Sequence, residues 1–212
     1  MNNRLNNSML RNSIYLLAAA ILLLSCKPDA PNPLYKYDVN PTFTWGFAEF
    51  FGDYYSNYDN PNNVLSLNLF SEGLDVNKEN TLVGTGQYLK IEDIFSSPND
   101  TLLPVGNYKL EETGQPFTFF GGEKFIDNRD DIPSGAYIYY IEPDPSKSKI
   151  AYVTDGTMNV SLTENGVYTI QCAFILDRKT EFKGTFSNKL LHIDQAVSTP
   201  SGAPRKKIKV AL

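Results

Sequence analysis

From residue 158 onward, apolar side chains recur at every second position. That period is the signature of a strand with one buried face. Met158, Val160 and Leu162 share one side, with Asn159, Ser161 and Thr163 opposite. Glu164-Asn165-Gly166 follows, and Asn-Gly suits a tight hairpin because both residues tolerate positive φ. Tyr168, Ile170, Cys172, Phe174 and Leu176 then predict the dry face of a long strand. Asp177-Arg178-Lys179 predicts a second turn, and Phe182 and Phe186 a returning strand. Residues 156–187 therefore read as a three-stranded antiparallel meander with one wet and one dry face.

The same period appears earlier. Phe43, Trp45 and Phe47 alternate with Thr44 and Gly46, and Leu65, Leu67 and Leu69 alternate with Ser66 and Asn68. Shorter or less regular runs at 88–95, 105–110, 137–141 and 150–153 also predict strands. Turn-rich segments separate them, such as Asp59-Asn60-Pro61-Asn62-Asn63 and Glu142-Pro143-Asp144-Pro145. No amphipathic pattern of three helical turns occurs after residue 26. Thirteen Tyr, thirteen Phe and one Trp favour strands further. The expectation is one all-β domain over 42–212, an antiparallel β-sandwich of jelly-roll-like kind. A lipocalin-like β-barrel is the alternative, because both present the same alternation. Ile208 and Val210, alternating with Lys207 and Lys209, predict an exposed edge strand at 205–212.

The amino terminus sets location. Arg4 and Arg11 precede an apolar stretch from Tyr15 to Leu24 that is too short for a spanning helix. A small residue and a cysteine follow, the layout of a secretory signal. Leu23-Leu24-Ser25-Cys26 resembles the lipobox of bacterial lipoproteins. That resemblance implies a signal peptide over 1–25 and acylation of Cys26, with palmitate-type chains anchoring the protein in the outer membrane. The sequence leaves the membrane face open. Residues 26–41 hold Pro28, Pro31, Pro33 and Pro41 and read as a tether between lipid and body.

Loss of residues 1–25 removes two arginines and no acid. That leaves 17 basic against 24 acidic residues, a formal charge of −7. An acidic, evenly charged chain argues against nucleic acid, whose phosphates need clustered Lys and Arg. With Cys26 acylated, Cys172 is the one remaining cysteine, so no intramolecular disulfide is expected.

The chain offers little for catalysis. His192 is its single histidine and sits among apolar neighbours, which predicts a structural role. No pair of carboxylates is selected by spacing, and no glycine loop suits phosphate. Asp127, Asp130 and Asp131 form the best oxygen-ligand cluster, but without calcium-loop spacing. No metal and no cofactor are expected, and no enzyme. Aromatic residues are the remaining constellation. Tyr54, Tyr55 and Tyr58 lie among polar Asn57 and Asp59, which predicts an exposed platform for stacking on sugar rings. The leading expectation is a non-enzymatic envelope lipoprotein that binds a glycan or an envelope partner there. A structural or adhesive, pilus-associated subunit is one alternative, exchanging residues 205–212 or the tether. A lipocalin-like carrier of an apolar ligand is another.

Four further segments carry a resemblance. They are Leu103-Pro104-Val105-Gly106-Asn107-Tyr108, Asp155-Gly156-Thr157-Met158-Asn159-Val160, and Phe182-Lys183-Gly184-Thr185-Phe186 with Tyr168-Thr169-Ile170 before it. Over roughly residues 100 to 190 the chain resembles uncharacterised outer-membrane lipoproteins of Bacteroidetes. The resemblance rests on strand and turn residues. It implies an all-β envelope protein and transfers no site residue.

Overall fold

The computed structural model describes residues 38–127 and 130–210. The expected signal peptide, Cys26 and most of the tether lie outside them, as do the side chains of residues 125–131. Two single-turn 3₁₀ helices, Ser56–Tyr58 and Pro145–Lys147, are the helical elements among the described residues.

Among the described residues fifteen strands follow one another: β1 (Thr42–Phe50), β2 (Asn63–Ser71), β3 (Leu74–Val76), β4 (Leu82–Gly84) and β5 (Gly86–Ser96). Next come β6 (Gly106–Leu110), β7 (Thr118–Phe119), β8 (Glu123–Asp127), β9 (Asp130–Ser134) and β10 (Ala136–Ile141). The meander supplies β11 (Lys149–Leu162), β12 (Val167–Leu176), β13 (Glu181–Phe182) and β14 (Thr185–Lys189), and β15 (Leu191–Asp194) ends the series. β11 is longer than expected. The runs at 150–153 and 158–162 are one strand, whose register slips between Val153 and Asp155.

The hydrogen-bonded path closes. β1 pairs β2, β2 pairs β5, β5 pairs β10, β10 pairs β11, β11 pairs β12 and β12 pairs β14, all antiparallel. β14 returns to β1 in parallel. β6 pairs the second half of β11, and β7 pairs β5 at Ile94, so this pair extends the seam between β5 and β11 past β10. The body is all-β and sandwich-like. The sheet is mixed, not purely antiparallel, because β1 runs parallel to β14 and β15 and β6 runs parallel to β7.

Side chains fill the interior. Phe119 packs on Phe174 at 5.6 Å between centroids, and Phe174 on Phe182 at 6.2 Å. Met158, Val160, Ile170, Cys172, Phe182 and Phe186 are buried, as their alternation predicts. Leu162 at the strand end departs from the pattern and is exposed.

β2, β5 and β10 behave differently, since nearly every residue along them is buried on both faces. On the outer face Phe70, Leu74, Leu82, Tyr88, Tyr137 and Tyr139 form a second cluster, against which Trp45, Ile208 and Val210 pack. The β3–β4 hairpin and the carboxy-terminal segment thus cover a face that Ser66 and Asn68 had marked as wet. Of the expected edge strand over 205–212, the described residues 205–210 form one parallel bridge, Lys209 to Thr81. Ile208 and Val210 instead lend their apolar sides to the second cluster.

Phe174 sits where three buried rings meet. Phe174→Ala leaves a cavity inside the ring and is expected to lower stability by about 3–5 kcal/mol in urea unfolding of the protein. A loss below about 1 kcal/mol would show that the interior collapses freely around the gap.

Candidate functional site

The site begins with a register slip. Leu65 pairs Ile94, but Leu67 pairs Ile91, so Ser66 stands opposite two residues, Glu92 and Asp93. This is a β-bulge. In a regular strand consecutive side chains point to opposite faces. Here Glu92 and Asp93 both line one outer cleft of about 230 Å³.

Each carboxylate in that cleft has a cation. Arg205 Nη2 lies 2.5 Å from Asp93 Oδ1, and Arg205 Nη1 donates to the Glu92 carbonyl at 2.6 Å. Lys207 Nζ lies 2.8 Å from Glu92 Oε1 and donates to the Pro133 carbonyl at 2.7 Å. Lys90 Nζ lies 3.3 Å from Glu49 Oε2. Arg205 also stacks its guanidinium over the rings of Tyr54, at 4.4 Å, and Phe51, at 5.1 Å. The carboxy-terminal segment is therefore fastened across the outer face by charge.

The cleft adjoins a second of about 320 Å³, lined by Glu112, Phe120, Glu123 and the backbone of Gly121, Gly122 and Gly135. Asp93 and Ser134 belong to both. Glycine is required here by close approach. A Cβ on Gly135 (φ +72°) would lie 1.8 Å from the Gly121 carbonyl oxygen, and one on Gly122 would lie 1.9 Å from that of Ala136. Half-buried Tyr55 and Phe120 face each other at 6.4 Å, both against buried Phe95. Tyr55 Oη donates to Asp93 Oδ1 at 2.9 Å. Burial, with the Asp93 carboxylate adding to it, holds that hydroxyl well above the usual tyrosine range.

The five expected binding residues separate. Tyr54 is only 8% exposed, its hydroxyl donates to the Ala203 carbonyl at 2.6 Å, and Arg205 covers its ring. It therefore cannot stack on a ligand as expected, because Arg205 and the carboxy-terminal segment already occupy its surroundings. Tyr55 lines the cleft. Asn57 reaches the Ser201 carbonyl at 3.4 Å, and Asp59 ends the 3₁₀ turn in a left-handed conformation. Tyr58 is 73% exposed. An exposed row of three tyrosines is thus absent from the 54–58 segment.

Asp127 and Asp130 pair across the β8–β9 turn, and their side chains, with that of Asp131, lie outside the described residues. Among the described residues no three His, Cys, Asp or Glu gather as a metal site would require. His192 Nε2 accepts from the Leu103 amide at 3.3 Å, a structural bond. Burial lowers its pKa. Cys172 is buried, which pushes its thiol well above the reactive range.

Sequence reasoning missed Glu49, Lys90, Glu92, Asp93 and Arg205. One signal was present. Glu92-Asp93 interrupts the alternation along β5, and two adjacent acids at such a break mark a bulge.

Arg205→Met leaves Asp93 buried without its cation. It is expected to lower stability by on the order of 3 kcal/mol, read by chemical denaturation. Adding Asp93→Asn is expected to restore most of the loss. A double variant as unstable as the single one would show that Arg205 acts through its ring contacts instead.

No protein-family model matches the chain, and neither a curated protein nor a solved structure matches it.

Proposed function

We propose that this chain is a non-enzymatic lipoprotein of the bacterial outer membrane that binds a glycan in the joined outer clefts. One observation carries the reading. Two adjoining clefts share Asp93 and Ser134 and combine half-buried aromatic rings with fixed charged groups. Together their volumes fall in the range of small-ligand sites. A sugar presents apolar ring faces and many hydroxyls. Tyr55 and Phe120 offer the faces it stacks on. Carboxylates at Asp93, Glu112 and Glu123 accept its hydroxyl protons, and Arg205 and Lys207 donate in return. The glycan reading thus moves from the 54–59 loop to the bulge, with Tyr55 common to both.

The pairing of Glu49, Glu92 and Asp93 with Lys90, Lys207 and Arg205 supports a binding role over hydrolysis. An acid–base pair needs two carboxyl groups whose environments drive them apart, whereas these form a fixed polar wall. The pilus-associated reading draws less support. Exchange of residues 205–210 between copies has to break two ion pairs that sit in or beside the sheet. The carrier reading draws least, since aromatic rings fill the interior.

A glycan-array screen of the protein tests this reading. Binding is expected, with Tyr55→Ala and Phe120→Ala each weakening it about tenfold or more, and Tyr58→Ala leaving it unchanged. No signal across the array, or loss only in Tyr58→Ala, would reject the cleft. The anchor is tested separately by metabolic labelling with an alkyne fatty acid. The wild-type chain is expected to take up label and Cys26→Ser to lose it. An unlabelled wild-type chain would remove the membrane assignment.

A further inference from the structure

Beneath the cleft, five side chains meet on the outer face of β1, β2 and β5. Asn68 is fully buried and stands directly opposite Lys90 in the β2–β5 register. Its Oδ1 accepts from Lys90 Nζ at 3.1 Å and from Tyr88 Oη at 2.7 Å. Its Nδ2 donates to Glu49 Oε2 at 3.2 Å. That same carboxylate oxygen accepts from Lys90 Nζ at 3.3 Å and from Ser66 Oγ at 2.9 Å. Lys90 also donates to Ser66 Oγ at 3.0 Å.

The Lys90 amine thus lies within hydrogen-bond distance of the carbonyl oxygen of the Asn68 carboxamide. A phenol holds the carbonyl oxygen, and one carboxylate touches both the amine and the amide nitrogen. We propose that Lys90 and Asn68 join in an intramolecular isopeptide bond, with Glu49 as proton carrier and Tyr88 as oxyanion donor.

The step balances within the chain. The neutral Lys90 amine adds to Asn68 Cγ, and the oxygen that takes up negative charge stays on the Tyr88 hydroxyl. Glu49 takes a proton from Nζ and delivers it to Nδ2, the leaving nitrogen. The Cγ–Nδ2 bond breaks as the Cγ–Nζ amide is completed, and one ammonia leaves. No oxidant or second substrate enters. Burial opposes the charged ammonium and lowers the Lys90 pKa against the pull of Glu49, which favours the attacking form. Burial also keeps Tyr88 protonated and therefore a donor. The strands hold the reactants in register, so no encounter has to be waited for. Glu49, Ser66 and Lys90 all line the cleft, which gives ammonia a way out.

The product is a covalent link between β2 and β5 in a body whose described residues hold one cysteine and hence no disulfide. It does not depend on glycan binding.

A tryptic map of the purified, denatured full-length chain decides the matter. The peptide holding Asn68 is expected joined to the one spanning Lys90, lighter than their sum by one ammonia, with no cleavage after Lys90. Glu49→Gln is expected to release the Asn68 peptide unlinked and to restore cleavage after Lys90. Tyr88→Phe, which keeps the ring, is expected to slow linkage about a hundredfold. Separate wild-type peptides after long incubation of the folded protein overturn the proposal. So does ammonia loss at Asn68 without a link to Lys90. Full linkage in Glu49→Gln overturns the role given to Glu49.

Discussion

A lysine ammonium buried on the face of a sheet is unstable there unless every donor is satisfied and a counter-charge is near. Before it is linked, Lys90 meets this condition through Glu49, Ser66 and Asn68, which take its three donors. The condition fixes much else. Glu49 has to come from β1, Ser66 and Asn68 from β2, so the three strands must hold their register to satisfy one cation. A slip of one residue would send Lys90 into the aromatic interior and the polar partners to the other face. The network therefore acts on register as well as on charge.

The second layer follows from the same fact. Once polar groups on the outer face satisfy one another, that face can be covered. The β3–β4 hairpin and the carboxy-terminal segment cover it with Leu74, Leu82, Ile208 and Val210. Arg205 and Lys207 close the cover by pairing with the two acids that the bulge turns outward. The outer cleft is what remains where the cover stops. Its charged walls belong to the machinery that holds the segment down, so the proposed binding surface and the stability of the cover share residues at this place.

The strands of the meander were legible because one of their faces is wet. Met158, Val160, Ile170, Cys172 and Phe174 sit opposite exposed residues, and period two then reads directly as burial. The β2–β5 pair was legible as strands but not as a site. Ser66 and Asn68 carry the same alternating pattern as a solvated face, and pattern alone does not tell water from a satisfied network. The platform of Tyr54, Tyr55 and Tyr58 failed for a related reason. Polar neighbours predicted exposure, but Arg205 lies 151 positions along the chain from Tyr54 and covers its ring. Only long-range packing brings these together. The parallel closure of β14 on β1 was equally hidden, since a parallel pairing leaves no turn between its strands.

The bulge at Glu92–Asp93 unites these failures. A period of two is informative because it assumes that each residue flips the face. One extra residue breaks that assumption and sets two acids side by side, which no regular strand does. The interruption makes the 88–95 run look weak as a strand. It also recruits Arg205 and Lys207, bends the surface into a cleft, and gives Asp93 to both cavities at once. Irregularity in β5 was therefore the feature of the sequence that shapes the outer clefts, and its weakness as a strand signal was the clue.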